Sequence, residues 1–192
     1  ALGDKGTYVR DGLEWETFVR NFEIIRDSPL IKNPIFIMGT VNAPAIDGFL
    51  GFLNWVKEQK ETAGSPNAVF YSITPVRFPT YQNLFILPMA LRKEYSKEIQ
   101  DYMDNPENLK WFNEFDLVHI NRFIHYVATA EVPHKELVKN WDKGQNFDKE
   151  TLTFDIDDLS QDFKTFFTQF DERRGNCFVD TYPRLASWYN SL

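Results

Sequence analysis

Chemistry needs polar groups held in fixed relation, and this chain offers few such sets. Near its start, Gly3-Asp-Lys-Gly6-Thr-Tyr8-Val-Arg10-Asp-Gly12 brackets one arginine between glycines and leads into an amphipathic helix. A turn of this kind, joining the carboxyl end of a strand to a helix, is how α/β proteins build ligand sites. The layout predicts a strand that precedes Ala1 in the whole protein. A second arginine, Arg77 in Pro75-Val-Arg77-Phe-Pro79, stands on a Pro-punctuated aromatic stretch. There it suits a substrate carboxylate or phosphate, and equally an acid of its own chain. No Gly-x-Ser-x-Gly elbow marks a serine hydrolase, and no Walker or dinucleotide-binding glycine pattern occurs. His119 and His125 lie six apart, so they would not share a helix face as metal ligands, and His134 follows a proline. All three read as ordinary polar or half-buried histidines. Cys177, beside Arg173 and Arg174, reads as a structural thiol rather than a reactive one.

The elements that must position these groups follow from hydropathy spacing. Residues 12–27 place Leu13, Phe18, Phe22 and Ile25 on a helix with Glu14 and Glu16 in its first turn, ended by Ser28-Pro29. Residues 34–41, Pro-Ile-Phe-Ile-Met-Gly-Thr-Val, form an apolar run expected of a strand buried on both faces, hence of a parallel sheet covered by helices. A helix over about 46–60 carries Phe49, Phe52, Leu53 and Val56, and Ala68–Ile73 is a second buried strand. Strand, helix, strand at this spacing predicts a βαβ unit with a right-handed crossover. The loop 74–87 leaves the sheet at the end where such folds bind ligands. Pro88 opens a polar amphipathic helix to about 103, and 107–130 is the longest helical pattern. Residues 131–157 are polar and irregular. Asp157 or Asp158 then caps a helix bearing Leu159, Phe163, Phe166, Phe167 and Phe170, closed by Gly175; Thr181-Tyr-Pro183 caps a last short helix.

Composition narrows the class. The chain has 192 residues, 43% hydrophobic and 26% charged, which fits one globular domain with a core rich in its 18 phenylalanines. A net charge of −7 argues against nucleic acid and against an anionic membrane surface. No apolar run is long enough to span a bilayer. The single cysteine can neither form an internal disulfide, which fits a cytoplasmic protein, nor hold a zinc or iron–sulfur site alone.

Four segments in order carry a resemblance: Gly3-Asp-Lys-Gly6-Thr-Tyr8-Val-Arg10-Asp-Gly12-Leu-Glu-Trp15, Thr40-Val-Asn42, Pro75-Val-Arg77-Phe-Pro79 and Asp171-Glu-Arg-Arg174-Gly175. They resemble the later part of radical S-adenosylmethionine (radical SAM) enzymes of the group with a small auxiliary ("twitch") carboxyl-terminal region. The resemblance implies a partial (β/α) barrel, a partial TIM barrel, whose strand ends hold S-adenosylmethionine, with the strand before this chain ending in Ser-x-Asp. It implies a [4Fe–4S] cluster on a Cys-x-x-x-Cys-x-x-Cys loop and a 5′-deoxyadenosyl radical made by reductive cleavage of the cofactor. That loop is absent here, and one thiol cannot replace three. The cluster is therefore expected only through a missing N-terminal half or a partner chain.

By position, Arg10 matches the arginine that pairs with the methionine carboxylate of the cofactor, a task suited to a guanidinium fork. An exposed arginine at a helix start is the plainer alternative. Thr40 and Asn42 would place donors and acceptors for ribose or amino-acid groups, or form a strand-end Asx turn. Arg77 is the substrate-binding candidate, and no catalytic residue is assigned. Asp171, Arg173 and Arg174 are expected to form a helix-end charge cluster fixing the tail onto the body. The implied organisation is a barrel portion over 1–87 and a helical extension over 88–192, acting on a small-molecule or peptide substrate. The rival reading is a non-catalytic binding or assembly module that uses the 74–87 loop, the Phe-rich helices and an unpaired sheet edge to take a partner.

Overall fold

The computed structural model describes residues 2–131 and 155–192. It is an α/β protein built on a two-stranded parallel sheet, β1 (Ile35–Val41) beside β2 (Val69–Pro75), in register from Ile35 opposite Val69 to Val41 opposite Pro75. Two short helices precede the sheet: α1 (Gly3–Val9) and α2 (Trp15–Arg26). After β1 a 3-10 turn (Pro44–Gly48) runs into α3 (Phe49–Thr62), the crossover to β2. Two 3-10 turns, Thr80–Gln82 and Leu84–Ile86, fill the aromatic loop. Then come α4 (Met89–Asp104), α5 (Pro106–Leu109), α6 (Glu114–Thr129), α7 (Ile156–Arg174), α8 (Phe178–Thr181) and α9 (Ala186–Ser191).

Alternation of the pleat sends successive side chains to opposite faces. Phe52 of α3 meets the Tyr71 ring edge-on at 5.7 Å on one face, and Phe115 of α6 meets Phe36 and Phe70 at 5.6 and 5.8 Å on the other. The expected burial of 34–41 on both faces is corrected: Phe36 is 52% and Met38 82% exposed. An apolar run reports what a strand can bury, not how many neighbours it has. Among the described residues β1 is an edge strand, and α6 covers β2 more fully than β1.

Local chemistry explains several boundaries that depart from expectation. The first helix of the chain is Gly3–Val9, and the next starts at Trp15 because Gly12, at φ 74°, turns the chain. The pattern over 107–130 breaks between α5 and α6. There Asn113 accepts from the Asp116 amide, while Asp116 accepts from the Asn113 amide, a reciprocal cap that starts a new helix. Asp155, not Asp157 or Asp158, caps α7, accepting from the Asp157 amide at 2.8 Å. Gly175 ends that helix at φ 65°. At 19 residues α7 is longer than α6. His134 and residues 132–154 lie outside the described residues.

Two polar clusters tie the layers together. Lys60 of α3 and Asp116 of α6 form a fully buried ion pair, and Lys60 also donates to the Pro66 carbonyl at 2.8 Å. Burial pushes the Lys60 ammonium down and the Asp116 carboxyl up, against their mutual attraction. Asp47 accepts from Lys5 at 2.7 Å and from the Tyr95 hydroxyl at 2.8 Å, joining α1, the 3-10 turn after β1 and α4. No helix among the described residues is long and apolar enough to cross a membrane.

Candidate functional site

The glycine-bracketed arginine sits on a tightly held turn. The Leu13 amide donates to the Arg10 carbonyl at 3.2 Å, and the Thr7 hydroxyl donates to the Leu13 carbonyl at 3.3 Å. Gly12 supplies the positive φ at the corner. Arg10 is thereby presented from the carboxyl end of α1 with its side chain exposed, and no hydrogen bond or ion pair engages its guanidinium among the described residues.

Arg10 lines a cavity of about 370 Å³, together with Thr40 and Asn42 from the end of β1. The walls are apolar and aromatic: Leu13, Trp15 and Phe18 before and within α2, and Phe49, Phe52 and Trp55 from α3. Trp15, Phe18 and Trp55 pack on one another, with Trp15 and Trp55 edge-on at 5.7 Å. Among the described residues lining the cavity, Arg10 is the only charged one. An arginine with no acid partner among the described residues, lining an apolar concavity, would suit an anionic group on a ligand with an apolar or aromatic body.

The free edge of β1 forms another wall. In a parallel ladder alternate residues turn their N–H and C=O to the same neighbour. The Ile35 amide donates to Ala68, and the Val41 carbonyl accepts from Val76, so 35, 37, 39 and 41 serve β2. Phe36, Met38 and Thr40 therefore turn theirs to the open side, where no partner is found among the described residues.

The remaining candidates divide. Asn42 is occupied in the turn: its Oδ1 accepts from the Ala45 amide at 3.1 Å and its Nδ2 donates to Gln82 at 3.3 Å. The bond to the amide three residues on is a cap-like local bond rather than an Asx turn, and it leaves the carboxamide only its spare lone pair and hydrogen for a ligand. Arg77 does not line the cavity, although its neighbour Val76 does. It is exposed on a loop pinned by Asn83, whose Nδ2 donates to the Val76 carbonyl at 2.7 Å and whose Oδ1 accepts from the Tyr126 hydroxyl at 2.8 Å.

The carboxyl-terminal cluster docks directly onto this site. Asp171 accepts from the Tyr8 hydroxyl at 2.6 Å and from the Phe178 amide at 2.7 Å. Arg174 donates to the Tyr8 carbonyl at 2.8 Å, reaches the Thr7 carbonyl at 3.5 Å, and pairs with Asp11 at 3.0 Å. Asp171 and Arg174 thus fix the tail to the body, as expected, while Arg173 is exposed and takes no part. Tyr8, buried and hydrogen-bonded to a carboxylate, has its phenol pushed far up by desolvation and then by Asp171. Tyr8 was not singled out as a site residue by the sequence, because its partner lies 163 positions away.

The thiol and imidazoles stand elsewhere. Cys177 is exposed beyond α7, His119 packs on the Phe115 ring at 4.7 Å, and His125 is exposed. Among the described residues no three His, Cys, Asp or Glu side chains are grouped to hold a metal ion. The residues present therefore do not fit an iron–sulfur cluster, which needs several thiolates. Compared with known proteins, the chain matches no family model, no curated protein and no solved structure.

Proposed function

We propose that this chain is the carboxyl-side portion of a radical S-adenosylmethionine enzyme and contributes part of its cofactor pocket and substrate cavity. The observation that carries the reading is that Arg10, with no acid partner among the described residues, lines a cavity that also takes in Thr40 and Asn42 at the carboxyl end of β1. Arg10 would grip the methionine carboxylate through two charge-assisted hydrogen bonds. Thr40, with the open backbone groups beside it, offers donors and acceptors to the rest of the cofactor. Arg77, on its pinned loop beyond β2, would meet an anionic group of the substrate. The cluster ligands would come from another part of the enzyme, and S-adenosylmethionine bound beside such a cluster supplies the radical chemistry.

The same reading gives the sheet a partial-barrel form. A third parallel strand on the open edge of β1 would satisfy Phe36, Met38 and Thr40 and bury its apolar side chains against the apolar lining of the cavity. Arg10 would remain for the ligand. Leu2, just before α1, lines the same cavity.

The test is a calorimetric titration of S-adenosylmethionine into the full-length gene product and its Arg10→Ala variant. Losing a charge-assisted pair should weaken binding about 10-fold or more. Equal affinity in the two proteins removes the role given to Arg10. The rival binding-module reading is favoured by the uncharged stretch Pro34–Val41 along the open edge. It predicts no cofactor binding at all, and capture of a partner strand instead.

A further inference from the structure

The most strongly built polar feature around the cavity belongs to the far end of the chain. Arg174 holds the carbonyls of Thr7 and Tyr8 and the carboxylate of Asp11, residues that flank Arg10 on both sides. The two carbonyls are among those α1 leaves without internal partners at its carboxyl end, and a cation suits that end. Phe170, with its ring 4.7 Å from the Arg174 guanidinium carbon, holds the fork from behind. Asp171 fixes Tyr8 through its hydroxyl and ties it to α8 through the Phe178 amide. The Tyr182 hydroxyl adds a bond to the Lys5 carbonyl at 2.9 Å. A helix of seven residues containing two glycines has little stability of its own. Its position, and that of the turn carrying Arg10, is imposed from outside.

We infer that Arg174 and Asp171 are positioning residues for Arg10: they set the Arg10–Leu13 turn so that the guanidinium faces the cavity. The inference rests on the reading of Arg10 as the anion-binding group. It makes the carboxyl-terminal helices part of the ligand site although none of their residues line it. A turn free to move would spend binding energy on being ordered before Arg10 could meet a ligand; a clamped turn would not.

The test compares two probes on the full-length gene product: S-adenosylmethionine, and 5′-methylthioadenosine, which shares the nucleoside but has no carboxylate. Arg10 should make the first bind about 10-fold or more tightly than its Arg10→Ala variant does, with 5′-methylthioadenosine unaffected. Arg174→Ala and the milder Tyr8→Phe, which removes only the hydroxyl that Asp171 accepts from, should lower affinity for S-adenosylmethionine several-fold and leave 5′-methylthioadenosine unchanged. Arg174→Lys, which keeps charge but not the fork, should recover only part of the loss. Arg173→Ala, the exposed neighbour, is the control and should match the parent. If Arg10→Ala changes neither probe, the anion-site reading itself fails. If Arg10→Ala is selective but both Tyr8→Phe and Arg174→Ala either leave the probes alone or weaken both equally, the clamp serves only stability and the inference is overturned.

Discussion

The Arg10 turn shows how few residues are needed to present one charge. Gly12 turns the corner at φ 74°, and a Cβ there would meet nothing within 4 Å. Substitution therefore costs backbone strain alone. Gly12→Ala should destabilise the chain by about 1–2 kcal/mol, the usual penalty of left-handed backbone for an L-residue, measured by urea unfolding. An unchanged midpoint would mean that the turn is not held in this conformation. Arginine between glycines was visible in the sequence as a presented group. Its clamp was visible only as a charged helix end, since nothing local in Tyr8 or Asp171 announces a partner across the chain. Asn42 illustrates the converse: its side chain suits a ligand or a turn equally well, and only the position of the Ala45 amide decides between them.

At the scale of elements, hydropathy spacing located β1, β2, α3 and α4 to within a few residues, because each buries a regular stripe against its neighbours. It missed α1, whose glycines and short length argue against a helix and whose support comes from Asp47, Asp171 and Tyr182. It ran α5 and α6 together, although Asn113 and Asp116 hold the spacing of a reciprocal cap. The Lys60–Asp116 pair was not legible either, since lysine on an amphipathic helix usually reaches solvent. Both side chains are fully buried, so Lys60→Met leaves an unpaired carboxylate in the core and should cost about 3–5 kcal/mol by chemical denaturation. Lys60→Met combined with Asp116→Leu should recover most of that loss. A double variant as unstable as the single one would show that the pair stabilises by more than mutual neutralisation.

For the whole molecule, the decisive feature is what lies beside β1. A strand with an uncharged open edge and with Phe36 and Met38 largely exposed is a site for pairing with another strand. In the 192-residue chain by itself that edge should promote self-association, and Met38→Lys should suppress it in sedimentation velocity at matched concentration. Equal association of parent and variant would place the sticky surface elsewhere. In the proposed enzyme a third strand would close the edge and Arg10 would hold the cofactor. Amide hydrogen exchange at Phe36, Met38 and Thr40, compared between this chain and the full-length gene product, tests that arrangement most directly. The account predicts fast exchange in the chain alone and protection of about 100-fold or more in the full-length protein, as for a ladder bond that opens only with sub-global unfolding. Equally fast exchange at these three amides in both proteins would contradict it.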